Sequence, residues 1–399
     1  MDRVVVVGAG VVGASCAFFA ARAGWDVTIV DPLPPGGGTT SRGEGNLLLS
    51  DKGAGPELAL MQHSRRLWLE VAQELGRDSL ELDEKGGLVV ATTSAELEAL
   101  HHFAQGQRRV GVDARPVDGD ELWELEPHLA RDLPGAVLYP DDLQVQPVLA
   151  ACALTLAARR LGGHVRIGAE VVAAERDASG RMKGVRLSTG AVVPAEAVVN
   201  AAGTWGGVVG QRLGAPVPVH PRRGFVLVTA PVGQLVRHKV YTATYVADVA
   251  SDDARLQTST VVEGTRAGTV LIGASRERVG FDVTMSPEVV RRLAAGAVRV
   301  LPVLGGVDLM RTYRGFRPYS PDHLPIIGPD PRVQGVIHAV GHEGAGVGLA
   351  AATGFLVARH LDGGPVPHGM PVTAFLPDRL VTRQEHEQGQ GRRLSAEAS

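Results

Sequence analysis

Apolar residues fall along this 399-residue chain in two spacings, an uninterrupted short run and a helical period. Val4 to Val7 is a run of four valines, which predicts a strand buried on both faces. A turn with Gly8, Gly10 and Gly13 follows, then an apolar helix-like run to Gly24, then Val27 to Val30 ending in Asp31. This is the pattern of a βαβ unit. Pro56 to Leu75 repeats with helical period, and Leu58, Met61, Leu67, Leu69, Val71 and Leu75 are its expected buried positions. Further helices are expected over Ser94 to Val110, capped by Ser94, over Asp120 to Glu126, and over Pro147 to Leu161, where Gly162-Gly163 stops it. Glu288 to Leu301 is amphipathic and ends at Pro302, and Leu349 to Leu361 is apolar throughout. Strands are expected at 86–92, 165–171, 184–187, 197–200 and 335–340. Between Pro216 and Gly273, the runs 225–229, 236–246, 256–262 and 268–272 predict an antiparallel sheet.

This alternation divides the chain. Residues 1–85, 141–215 and 323–380 read as a discontinuous cofactor-binding domain, and 86–140 with 216–322 as an inserted second domain. Residues 381–399 carry no apolar period and read as a disordered tail. Val4 to Ala21 holds eighteen residues without a charge, the lower limit for a membrane span. Its glycines and its four-valine start split it into a strand and a helix instead. It lacks the basic start and small-residue cleavage site of a secretory signal. A soluble, cytoplasmic protein without a transmembrane segment is expected, with room for peripheral attachment to a membrane.

The glycine spacing carries chemistry. Gly8 permits a tight turn, Gly10 lets backbone approach a pyrophosphate, and Gly13 lets the helix pack on the sheet, with Val12 inside the turn. Asp31 lies where a carboxylate accepts hydrogen bonds from an adenosine ribose, which disfavours a 2′-phosphate. The stretch by itself leaves NAD and FAD open. After it, residues 32–46 are rich in Gly, Pro, Ser and Thr, a loop suited to lie along a cofactor, and Leu47 to Leu49 are placed to cover a ring system. Ala197 to Asn200, then Ala-Ala-Gly203-Thr-Trp205, is a buried strand running into a small-residue turn that lets backbone approach a ligand.

Composition changes this picture little. A hydrophobic share of 44%, a charged share of 21% and a net charge of −3 fit an ordinary soluble globular protein and give no case for nucleic acid. The bases are mostly Arg, with Lys only at 52, 85, 183 and 239, so no single Arg is informative alone. Cys16 and Cys152 offer neither a disulfide framework nor a metal-ligand spacing, so no metal is expected and the compartment reads as reducing.

Four blocks together resemble the FAD-dependent D-amino-acid oxidase family, which includes glycine oxidase, sarcosine oxidase and D-amino-acid dehydrogenases. They are Gly8 to Asp31, Thr39 to Leu49, Ala197 to Trp205, and Tyr313 to Gly328 with Gly341 to Gly348. The last pair is the specific part and decides FAD over NAD. The resemblance implies an α/β and α+β architecture, a Rossmann-type FAD-binding domain with an inserted antiparallel-sheet substrate domain. It implies non-covalent FAD, because Gly315 stands near where sarcosine oxidases carry their flavin-linking Cys. Gly8, Gly10, Gly13 and Asp31 would hold the ADP half, with Val171, Gly203 and Trp205 beside it. Ser41, Arg42, Asn46 and Leu47 would follow the ribityl chain and flavin, with Gly341, Gly344, Gly346, Val347 and Gly348 at the flavin edge.

The resemblance also implies that Arg317 grips a substrate carboxylate, with His342 and Tyr245 as polar contacts. A His beside a flavin could orient substrate or take an amine proton, since its pKa ordinarily lies near working pH, and it could equally be a helix-entry residue with one backbone hydrogen bond. Glu343-Gly344 departs from branches with an aromatic and a basic residue there. The expected activity is oxidation of the C–N bond of a small amino or imino acid, with O2 or another electron acceptor, in a homo-oligomer or a heteromeric complex. The alternatives are a non-catalytic electron-transfer subunit and an NAD-linked dehydrogenase.

Overall fold

The computed structural model describes residues 2–249 and 253–380. The expectation of a disordered tail over 381–399 lies outside the described residues. Val4 to Val7 are all buried and form β1 (Arg3–Val7), which is followed by α1 (Val11–Arg22) and β2 (Asp26–Asp31). β1 lies inside a six-stranded sheet ordered Ile326–Pro329, Val336–Val340, Ala197–Asn200, β1, β2, His164–Ile167. Every neighbouring pair is parallel except Ile326–Pro329 against Val336–Val340. The chain leaves β1 towards β2 on one side and reaches Ala197–Asn200 on the other. A crevice therefore opens at the carboxyl end of β1, where ligands of such sheets bind.

The uncharged run Val4 to Ala21 is thus a strand and a helix. The C-terminal helix Gly346–Asp362, counted from Glu343, is long and apolar enough to cross a membrane, yet more than half of it is buried inside the protein. It packs on α1, where a Cβ at Gly354 would stand 2.6 Å from the carbonyl oxygen of Ser15. The helix Pro56–Leu75 covers its other side. There Trp68 Nε1 donates to the carbonyls of Val347 and Gly348 at 3.1 and 3.0 Å. Ser64 Oγ donates to the Gly348 carbonyl at 2.6 Å and accepts from the Ala352 N–H at 3.1 Å. The buried face of Pro56–Leu75 is therefore centred on Met61, Ser64 and Trp68, whereas Leu67, Leu69 and Leu75 are half-buried. A Ser and an indole N–H serve the first turn of another helix, a use that hydrophobic period does not register.

An eight-stranded sheet forms the second layer, ordered Leu309–Tyr319, His220–Thr229, Val270–Arg276, Gln257–Gly264, Lys239–Thr242, Gly87–Ala91, Gly135–Tyr139, Arg115–Val117. It is antiparallel apart from one parallel pair, Lys239–Thr242 with Gly87–Ala91. The amphipathic helix Pro287–Val300 packs on it through Val289, Leu293, Ala297 and Val300.

Three expectations are corrected. The run 236–246 is not one strand: Lys239–Thr242 pairs in the sheet, and Ala243–Val249 turns into a helix that seats the Tyr245 ring 5.3 Å from that of Tyr241. Tertiary packing overrides strand composition here. The run 165–171 breaks at Gly168, whose φ of 82° lets His164–Ile167 stay in the six-stranded sheet while Val171–Arg176 joins a three-stranded one. Thr93, not Ser94, caps the helix Ser94–Arg108, accepting from the Glu96 N–H, and Glu96 reaches back to the Thr92 N–H at 2.7 Å.

The contact at Gly354 is directly testable. Gly354→Val forces atoms into the backbone of Ser15 and should lower stability by about 1–3 kcal/mol. A thermal midpoint equal to that of wild type would show that the two helices separate freely.

Candidate active site

A cavity of about 490 Å³ starts at the carboxyl ends of β1 and β2 and ends at Arg317 and Glu343. At its first end the chain turns at Gly8, whose φ is 116° and where a Cβ would stand 2.4 Å from the Ala201 carbonyl oxygen. A Cβ at Gly13 would stand 1.9 Å from the Gly8 carbonyl oxygen, so α1 begins in contact with the turn. Gly8, Gly10 and Val12 line the cavity, and Thr40 Oγ1 accepts from the Val11 N–H at 3.1 Å. Asp31 also lines it, and its carboxylate accepts from the Ala9 and Leu33 N–H groups at 2.6 and 2.7 Å. It therefore orders the turn as well as facing the cavity. Burial pushes its carboxyl up, opposed by those two N–H groups.

Along the middle, Val171, Gly203 and Trp205 line one side, with the Val171 carbonyl accepting from Arg212 at 3.0 Å. Trp205 is 42% exposed at the rim and stacks on Phe281 at 5.8 Å. Arg42 and Asn46 line the other side. Five of the expected cofactor residues stand outside the lining. The Ser41 hydroxyl turns away to the carbonyls of Gly37 and Gly38 at 3.2 and 3.1 Å. Leu47, with Leu48 and Leu49, is buried in the main core and covers no cavity wall. Gly13, Gly341 and Gly348 serve close packing, with a Cβ at Gly348 only 2.9 Å from Met61 Sδ. Gly344, Gly346 and Val347 do line the cavity, and the helix Gly346–Asp362 begins there without a side-chain cap. Its first N–H groups make that wall electropositive.

The far end is built on the eight-stranded sheet. Arg317 lies on the edge strand Leu309–Tyr319, opposite Arg222 in register, and its Nη1 donates to the Ser275 carbonyl at 2.7 Å. Gly224 is required beside it, since a Cβ there would stand 2.3 Å from Arg317 Nη1. Burial, and then the neighbouring Arg276, push the guanidinium down to about 10, so it stays charged at neutral pH. Tyr245 is buried on the helix Ala243–Val249 and lines the cavity, with Arg276 over its ring at 5.1 Å; burial pushes its phenol up and keeps it neutral.

His342 is not a proton acceptor at working pH. It is 3% exposed, its Nε2 lies 2.9 Å from Thr353 Oγ1, and burial pushes it down to about 3. Glu343 adopts a φ of 45° and is tied, with Oε2 3.4 Å from Arg222 Nη1 and Oε1 2.9 Å from His323 Nδ1. It balances the buried Arg222. Glu44, Gly224 and Arg222 had not been singled out as site residues. For Glu44 the signal was there: it is the one acid in the small-residue loop 37–46.

The donor set fits a flavin dinucleotide. Asn46 Oδ1 is a buried acceptor with no donor among the described residues, while Asn46 lines the cavity, which suits a ligand with N–H groups. Gly43 and Gly203 also line it, and a Cβ on either would enter open space. A Rossmann-type turn joined by one cavity to a charged, half-buried arginine fits a flavin-dependent oxidoreductase. The chain matches the model of the FAD dependent oxidoreductase family over residues 3–360 and belongs to that family. It is 32% identical to glycine oxidase of Geobacillus kaustophilus, over 89% of this chain and 91% of that protein. The crystal structure of glycine oxidase from that organism superposes with a TM-score of 0.83 at 28% identity, covering 94% of this chain and 99% of the other. The hydrogen cyanide synthase subunit HcnC of Pseudomonas aeruginosa is 28% identical, over 94% and 96% of the two chains. The cofactor is FAD, and Cys16 and Cys152 both lie outside the cavity lining.

His342 ties stability to pH. Its folded pKa of about 3 lies below its ordinary 6.5, so its contribution is complete above pH 6.5 and is lost as pH falls towards 3. Urea unfolding at pH 7.5 and pH 5 should show a larger loss for wild type than for His342→Gln. Equal losses would mean that His342 is solvated.

Proposed function

We propose that this enzyme oxidises the C–N bond of a small amino or imino acid. Hydride leaves Cα, and the resulting imine hydrolyses to an oxo acid or persists when the substrate is cyclic. The observation that carries this reading is the Arg317 guanidinium, charged and half-buried, in the lining of the cavity that also receives the Gly8 turn. FAD supplies the hydride acceptor when bound, held along Gly8, Gly10, Asp31, Asn46 and Gly346. The protein's share is positioning. A planar guanidinium fork takes a carboxylate through two parallel bonds and aims Cα. Anchored by Ser275, the fork has little freedom to lose on binding. The neutral Tyr245 phenol offers one more donor. The electropositive helix start at Gly346 stabilises negative charge that develops on the cofactor side.

The six-stranded sheet and its helices, residues 1–85, 141–215 and 323–380, would form the cofactor domain, and 86–140 with 216–322 the substrate domain. The two unpaired cysteines fit a cytoplasmic setting. Electrons pass on to O2 or another carrier. A second reading, a subunit that works only inside a heteromeric complex, draws support from the HcnC relative, itself called a subunit, and from the exposed Trp205 and Phe281 stacked beside the cavity.

Purified protein should be yellow and should bleach anaerobically with one of glycine, sarcosine, a D-amino acid or a proline derivative. Arg317→Ala should keep the flavin and lose about two orders of magnitude or more in kcat/KM, chiefly through KM. An unchanged KM removes Arg317 from the substrate. Yellow protein inert to every amine favours the subunit reading.

A further inference from the structure

Glu44 is a buried acid that nothing above uses. It lines the cavity that ends at Arg317, and its side chain is only 8% exposed. Its Oε2 accepts from Asn46 Nδ2 at 3.2 Å and lies 3.5 Å from Lys239 Nζ. Its Oε1 has no donor among the described residues. Lys239 already has a nearer partner, Glu263, at 2.8 Å. Glu263 in turn holds the Gly45 N–H at 3.1 Å, which clamps the loop that carries Glu44. Two carboxylates therefore share one buried ammonium, and Glu44 is the less satisfied of them. Its carboxyl is raised on balance: burial pushes it up, Lys239 pulls it down, Glu263 pushes it up, and Arg317 and Asn46 pull it down. Tyr245 and Tyr313 lie within its electrostatic reach.

A desolvated carboxylate with an unpartnered oxygen is costly until a cation or donor meets it. Arg317 lines the same cavity, within electrostatic reach of Glu44, and presents the opposite charge. Two opposite charges facing one space match a zwitterion, with a carboxylate at Arg317 and an ammonium at Glu44. A hydroxyl can donate one hydrogen bond to the carboxylate but brings no positive charge, so the pairing favours the ammonium. Gly273 helps set the arrangement, because a Cβ there would stand 2.9 Å from Glu44 Oε1 and displace the carboxylate.

We infer that Glu44 is the group that binds the substrate's ammonium and makes this site select α-amino acids over the corresponding α-hydroxy acids. The inference rests on the amino-acid reading of the same cavity. Its test uses a pair of unreactive ligands that differ only at that group, 2-aminoisobutyrate and 2-hydroxyisobutyrate, neither of which has a Cα hydrogen. Each is titrated into holoenzyme and followed by the change in flavin absorbance. Wild type should bind the amino ligand about tenfold to a hundredfold more tightly, the worth of one charge-assisted bond. Glu44→Gln should bring the ratio close to one and leave the hydroxy ligand's Kd within about twofold. Glu44→Asp, which keeps the charge but withdraws it by one methylene, should reduce the ratio and serves if Glu44→Gln loses its flavin. A wild type with no preference, or a variant that keeps it, overturns the inference. So does failure of the amino ligand to bind an enzyme that amino acids do reduce. If no amino acid reduces the flavin, the amino-acid reading itself fails.

Discussion

Close approach of backbone to backbone, permitted only where Cβ atoms are missing, is the constraint on which the rest depends. Gly8, Gly13 and Ala201 bring the end of β1, the start of α1 and the turn after Ala197–Asn200 into contact. One face of α1 is then free to meet the C-terminal helix across Gly354 and Ser15. That second contact matters chemically, because the helix carries its uncapped start, Gly346 and Val347, to the cavity wall. Ser64 and Trp68 hold the same turn from behind by taking the Gly348 carbonyl. One end of the cavity is thus assembled by packing over distances of hundreds of residues.

At the other end the governing physics is electrostatic. Arg276 lies close enough to Arg222 and to Arg317 to lower the affinity of each for a proton, and Arg222 does the same to Arg317. Glu343 relieves Arg222, while Arg317 is restrained by a neutral carbonyl rather than by a carboxylate. An arginine fixed in direction but not neutralised is prepared for an anionic ligand. Glu44 on the loop 37–46 and Glu263 on the strand Gln257–Gly264 add buried negative charge beside it.

Much of this was legible in the chain. The βαβ unit, the long helix Pro56–Leu75 and the small-residue turn at Gly203 follow from local period and from glycine placement, which report on backbone sterics. Arg317 was legible only through the resemblance of its block, since one Arg among many carries no local signal. Tyr245 was placed on a strand and stands on a helix, because valine and tyrosine runs do not reveal where a sheet stops pairing.

What the sequence by itself determined is the dinucleotide turn, because a positive φ and a missing Cβ are properties of single residues and their spacing. What only the tertiary structure decided is the ionisation and engagement of the side chains around the cavity. His342 is buried and neutral rather than basic, Ser41 and Leu47 face away, and Glu343 is spent on Arg222. Desolvation and charge pairing depend on every neighbour within a few ångströms, and those neighbours come from strands far apart in the chain.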